Sequence, residues 1–209
     1  MKFLHNIGRI EAFSDAVFAF AATLMVVNFD LDTDLTLSKT DATGFLSFAV
    51  SFFVLVALWW AHYNFFRRTK YMDNVLIALN ALLLFVVLYY VFPLKSLVHS
   101  WMGEGVKTKE DLSNLFVMYG IGFSLIFFCF SGMYFRAYKK SKSSEKSLNL
   151  YFYARHFAIF VLVSLISIVL ALFGFGIEFG LPGFFYALLG PLCYLHSKQF
   201  YKRYELNRL

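Results

Sequence analysis

The chain has 209 residues, of which 60% are hydrophobic, 21% aromatic and 15% charged, against about 45–50% apolar and about 25% charged in ordinary soluble domains. A water-soluble fold has nowhere to put that much apolar surface, and 28 Phe and 13 Tyr suit helix packing and lipid contact in a bilayer. The formal charge of +6 falls in short breaks between apolar runs, which favours a membrane surface over nucleic acid as its partner.

A spanning helix needs about 20 mostly apolar residues, and breaks rich in charge, Gly or Pro divide the chain into six such runs. In order they are Ile10 to Phe29, Ala42 to Phe66, Asn74 to Val98, Leu112 to Ala137, Leu148 to Ile177 and Leu181 to Ser197. Pro93 is expected to mark the end of the third. Pro182 and Pro191 predict a short last span that starts at a turn and kinks, because proline removes a helical hydrogen bond. The first run carries Glu11 and Asp15 and no A-x-A-like site follows it, so it is expected to stay in place rather than act as a cleaved leader.

With the N-terminus on the cytoplasmic side, fifteen of the 19 Lys and Arg residues fall inside and only Lys39, Lys95, Lys107 and Lys109 fall outside. The positive-inside bias therefore predicts six helices with both termini cytoplasmic, in an all-α protein that crosses the cell's inner (plasma) membrane several times. No internal repeat, linker or low-complexity tract divides residues 1–209, which read as a single transmembrane domain. Asp30, Asp32, Asp34 and Asp41 form an acidic rim at the outer end of helix one.

The first helix reads Arg9-Ile10-Glu11-Ala12-Phe13-Ser14-Asp15, followed by a long apolar stretch with one mid-span Thr23. Helix two ends in Trp59-Trp60-Ala61-His62 ahead of Arg67, and helix three carries Asn80 ahead of Leu82-Leu83-Leu84-Phe85. Together these motifs resemble the transmembrane-protein-175 potassium channels of bacteria. The match covers about the first hundred residues, and the second half agrees in helix number and polarity. The resemblance implies potassium ions as cargo and a homotetramer with helix one lining a central pore. It also implies an apolar constriction at Phe20, Leu24 and Val27 in place of a carbonyl selectivity filter. Phe20 departs from the pattern, since Ile or Leu is more usual there.

Helical periodicity independently places Phe13, Ala16, Phe20, Leu24, Val27 and Asp30 on one stripe, with Thr23 on its flank. Such a stripe can face a four-fold axis, lipid or a packed neighbour. No Thr-Val-Gly-Tyr-Gly segment is present, whereas an apolar ring gates by expelling water. Asp15 is the costliest residue of the helix. Arg9, Ser14, His62 and Asn80 are its expected companions, either as a polar staple between helices or as part of a proton relay.

The relay would make the protein an ion- or proton-coupled transporter using Asp15 and His62, but no inverted repeat or pair of broken helices supports that. No metalloprotease, nucleophile-elbow or Cys-x-x-Cys motif is present, so no enzyme chemistry is expected. No two histidines share a helix at metal spacing, and neither metal nor cofactor is expected. Cys129 and Cys193 read as small hydrophobes.

Overall fold

The computed structural model describes residues 6–27, 39–101, 108–141 and 144–204. The described elements are helical: α1 (Ile7–Val27), α2 (Lys39–Arg68), α3 (Asn74–Trp101), α4 (Lys109–Lys140) and α5 (Ser144–Leu172), then a short 3-10 turn (Ile177–Phe179), α6 (Leu181–Phe184), a second 3-10 turn (Phe185–Leu188) and α7 (Leu189–Arg203). Five of these, α1 to α5, are long and apolar enough to cross a membrane.

Hydrogen-bond closure dictates where the helices begin and end. Asp73 caps α3 by accepting the Leu76 N–H at 3.0 Å, and Thr108 caps α4 by accepting the Asp111 N–H at 3.1 Å, each satisfying a donor that the first turn leaves open. At the end of α5, Gly174 adopts φ 69°. Its N–H reaches the Ala171 carbonyl at 3.0 Å while that of Phe175 reaches Leu170 at 2.9 Å, a Schellman termination that glycine permits. Helix five therefore stops at Leu172, short of the expected Ile177.

Two other expectations are corrected. Pro93 does not end the third span but lies inside α3, which runs on to Trp101; membrane helices tolerate proline where neighbours shelter the freed carbonyl, and Pro93 is buried. The last span is not one kinked helix. From Leu181 it passes through one turn of α-helix and a 3-10 turn before the 15 residues of α7. Pro191 is the third residue of α7, in the first turn, where a missing N–H costs little.

The core joins α1, α2 and α3 to α4 and α5 through Leu83, Val87, Ile126, Phe130 and Met133. Helices α4 and α5 run antiparallel, with the Ser131 hydroxyl donating to the Ala154 carbonyl at 2.8 Å and Ser113 to Ala171 at 2.6 Å. Aromatic rings fill the seam: Phe127 and Phe160 lie 4.5 Å apart and Phe130 and Phe157 5.3 Å apart between centroids. Against α3, a side chain at Gly122 would meet the Tyr90 ring at 2.6 Å, so α4 approaches closely only because that position is bare.

Candidate functional site

Two faces of α1 determine what it can do. Ser14, Phe18, Ala21 and Met25 follow the i, i+4, i+7, i+11 spacing of a packed stripe and are all buried, because this side lies against α2 and α3. Two residues away from Phe18, a turn of about 200° carries Phe20 to the other side, where it is 56% exposed, beside Phe13 at 63% and Val27 at 74%. Ala16 and Thr23 are exposed there too, and Leu24 is half-buried on the flank. The Thr23 hydroxyl donates to the Ala19 carbonyl at 3.0 Å. The periodic stripe read from the sequence is thus open in the single chain, from Phe13 to Val27. Asp30, Asp32 and Asp34 lie outside the described residues.

Behind this face, three polar side chains form one buried chain. His62 is within 2.7 Å of the Asn80 Oδ1 through Nε2, Asn80 Nδ2 donates to Ser14 Oγ at 3.0 Å, and Ser14 Oγ donates to the Ile10 carbonyl at 2.8 Å. Because the amide's N–H side is committed to Ser14, its oxygen accepts, and His62 must carry a proton on Nε2. His62 Nδ1 is buried without a partner, so the neutral Nε2–H tautomer satisfies the chain at least cost. The ring is held in place by Phe18 at 5.4 Å and Phe66 at 4.9 Å.

Asp15 and Arg9 are not part of that chain. Asp15 Oδ1 instead accepts from the Trp59 indole N–H at 2.8 Å, and Arg9 is exposed, with its backbone N–H turned to the Asn6 side chain at 3.3 Å. The reason is angular: Asp15 follows Ser14 by about 100° around α1, which aims it at α2 rather than α3. It stands at one end of a crevice of about 370 Å³ between α1 and α2, walled by Phe18, Ala22, Leu55 and Trp59. Trp59 is the participant that sequence reasoning missed, since a tryptophan near a span end ordinarily reads as an interfacial anchor.

A second polar group ties the α2–α3 connection to α4. Arg136 contacts Asp73 Oδ2 at 2.8 and 2.9 Å, and the Tyr71 hydroxyl donates to the same oxygen at 2.9 Å. Burial would raise the Asp73 carboxyl, but the Leu76 amide, Arg136 and Tyr71 together outweigh it and hold Asp73 below the usual carboxylate value. Arg68 reaches the hydroxyls of Tyr134 at 3.2 Å and Tyr153 at 3.0 Å. Among the described residues, no three His, Cys, Asp or Glu side chains converge as a metal would require.

This arrangement has counterparts. Residues 9–93 match the family model described as "Endosomal/lysosomal potassium channel TMEM175". The chain is 39% identical over 150 residues to a protein named "Potassium channel" from Marivirga tractuosa, covering 63% of this chain and 59% of that one. It is 32% identical over 102 residues to a potassium channel of Streptomyces collinus, covering 43% and 47%. The alignments thus span about half the length of the curated relatives. Over the whole fold, the chain resembles the solved structure of a threonine-to-alanine variant of the potassium channel MtTMEM175 in complex with a nanobody–MBP fusion protein. The TM-score is 0.76 at 30% identity, covering 96% of this chain and 95% of that one. A lysosomal potassium-selective channel TMEM175 homolog from Chamaesiphon minutus shares the fold, with a TM-score of 0.60 at 22% identity, covering 88% and 97%. These relatives carry the names of channels rather than of enzymes. With its first three helices matched by the family model and its whole fold matched by a solved member, the chain belongs to the TMEM175 family, among its bacterial members.

Proposed function

We propose that the chain is the subunit of a potassium-selective cation channel in which α1 lines the pore. The observation that carries this reading is the two-sidedness of α1, buried along Ser14, Phe18, Ala21 and Met25 and open along Phe13, Phe20 and Val27. One such face cannot enclose an aqueous path, so several copies must turn it toward a common axis. The reading takes four copies, a homotetramer, from the family resemblance. Phe20, Leu24 and Val27 then form successive apolar rings, with Ala16 and Thr23 beside them. Narrow apolar walls offer water no hydrogen bonds, so the rings close the path by dewetting. They favour an ion that sheds its hydration at lower cost, as potassium does relative to sodium.

The remaining assignments follow from the same picture. Six crossings place both termini in the cytoplasm, with the last crossing made by the segmented run from Leu181 through α7, in the cell's plasma membrane. Asp30, Asp32 and Asp34 would form an acidic outer mouth that concentrates cations. Ser14, His62 and Asn80 act as a staple that fixes α1 against α2 and α3, and Trp59 with Asp15 makes a second one. The coupled-transporter alternative needs Asp15 and His62 to exchange a proton, and the bonding to separate partners favours the staple.

The test is the reversal potential of the purified protein in a planar bilayer under a potassium gradient. The channel reading expects a passive current that reverses near the potassium equilibrium potential. A current that requires a proton gradient would support the transporter instead.

A further inference from the structure

Along α7, Leu189, Cys193, His196 and Phe200 follow the i, i+4, i+7, i+11 spacing of a packed face and are buried or half-buried. Phe152 of α5 receives this face, its ring 5.1 Å from that of His196 and 5.2 Å from that of Phe200. At about 100° per residue, Pro191, Leu195, Lys198 and Lys202 fall on the opposite side, within about 60° of one another, and all four are exposed. This outer line changes character along its length. It is apolar at Pro191 and Leu195, with exposed Tyr194 on its flank, and cationic at Lys198 and Lys202.

The change falls at a definite depth. From Leu181 the run passes through four α-helical residues and four in 3-10 form before entering α7. At about 1.5 Å per α-helical and about 2.0 Å per 3-10 residue, the rise from Leu181 to Lys198 is about 29 Å, close to the hydrocarbon thickness of about 30 Å. Lys198 therefore stands where the headgroups begin, and Lys202 one turn beyond it. The helix dipole accounts for Lys202 and Arg203, which lie in the last turn of α7, but not for Lys198 above them. Two like charges at i, i+4 oppose the helix. No carboxylate offsets them: α7 carries none, and α5 carries none from Leu148 to Leu172. An anion between the two ammonium groups converts their repulsion into charge-assisted hydrogen bonds.

We propose that the outer line of α7 seats one anionic phospholipid of the cytoplasmic leaflet, its phosphate between Lys198 and Lys202 and an acyl chain along Tyr194, Leu195 and Pro191. The lysine stems cover the start of the chain while their ammonium groups stay at the headgroup level. The choice of leaflet rests on the reading that the run from Leu181 through α7 crosses the membrane from outside to inside.

The experiment uses the full-length chain, delipidated in neutral detergent and incubated with phosphatidylglycerol or with phosphatidylcholine of the same acyl chains. Retained lipid is counted by native mass spectrometry. A lysine beside an anionic headgroup is worth roughly five-fold in affinity, so wild-type protein should retain phosphatidylglycerol at least ten-fold more readily. Lys198→Gln/Lys202→Gln should lose that preference, Lys198→Arg/Lys202→Arg should restore it, and Lys139→Gln/Lys140→Gln should keep it. Equal retention of the two lipids by wild-type protein overturns the proposal without reference to any variant. An equal loss in the Lys139→Gln/Lys140→Gln protein also overturns it, since the effect would then be one of overall charge. Inorganic phosphate in millimolar excess should not displace the lipid, and displacement would make the seat one for a free anion. The leaflet is tested separately, by labelling Lys202→Cys with a membrane-impermeant thiol reagent in vesicles of known sidedness. Labelling from the cytoplasmic side is expected. Labelling from the outer side would overturn the crossing and the leaflet, whereas lost lipid preference with cytoplasmic labelling would overturn the seat alone.

Discussion

Phe18 and Phe20 stand two residues apart on α1 and face opposite ways, Phe18 4% exposed against α2 and Phe20 56% exposed. Phe18→Ala should therefore cost about 3 kcal/mol of stability, the usual range for emptying a buried aromatic site, and leave ion selectivity unchanged in whatever protein folds. Phe20→Ala should cost far less stability and change permeation. Thermal unfolding and bilayer current, measured on both variants, separate the two roles.

The buried chain from His62 through Asn80 to Ser14 predicts a graded response. Asn80→Ala breaks two hydrogen bonds and leaves His62 Nε2 and Ser14 Oγ short of a partner. Polar contacts between membrane helices are worth about 0.6 kcal/mol each on average, less than the roughly 1–3 kcal/mol left by an unsatisfied group in a soluble core. A loss of about 1–2 kcal/mol is expected for Asn80→Ala, with Ser14→Ala milder. Unfolding in detergent checks the order, and equal stability for all three proteins would dissolve the staple.

The Trp59–Asp15 bond predicts that Asp15→Asn is tolerated better than Asp15→Ala, because an amide oxygen still accepts the indole proton. Trp59→Phe keeps the aromatic body and removes the donor of this exposed bond, which should lower stability by about 0.5–1 kcal/mol, the usual worth of a polar contact between membrane helices. Thermal midpoints of the three variants provide the comparison. Stable variants that lost a proton-coupled flux would favour the transporter alternative.

Asp73 gives a pH dependence of determined sign. Its carboxyl is held below the ordinary value in the fold, so its stabilisation is fully present above about pH 4, the unfolded-state value. It is lost as the pH falls through the lower folded-state value. Asp73→Asn retains a helix cap but not the ion pair with Arg136, so its thermal midpoint should drop less steeply than that of the wild type between about pH 5 and about pH 3. Parallel profiles would contradict this.

The parts of the fold that follow from local pattern were legible in the sequence. Five apolar runs became α1 to α5, and the period of α1 separated Phe20 from Phe18 before any neighbour was known. Ser14, His62 and Asn80 could be grouped because polar residues in lipid gain mainly by finding one another. What local pattern does not carry is angle and partnership. Asp15 turns toward Trp59 because of its azimuth on α1, and a tryptophan that donates one specific hydrogen bond has the same local appearance as an interfacial one. The break between α6 and α7 depends on where the chain can switch to 3-10 bonding ahead of Pro191, and His156 meets His196 only through the packing of α7 on α5.

The central claim is that the open face of α1 lines the ion path, and the potassium-to-sodium permeability ratio of Phe20→Ala in planar bilayers tests it most directly. Shortening an apolar ring at the narrowest segment should widen and wet the path, raising the current and bringing the ratio toward one, with Leu24→Asn acting in the same direction less strongly. A wild-type ratio in a folded Phe20→Ala protein would place Phe20 against lipid or a neighbouring helix and contradict the pore assignment.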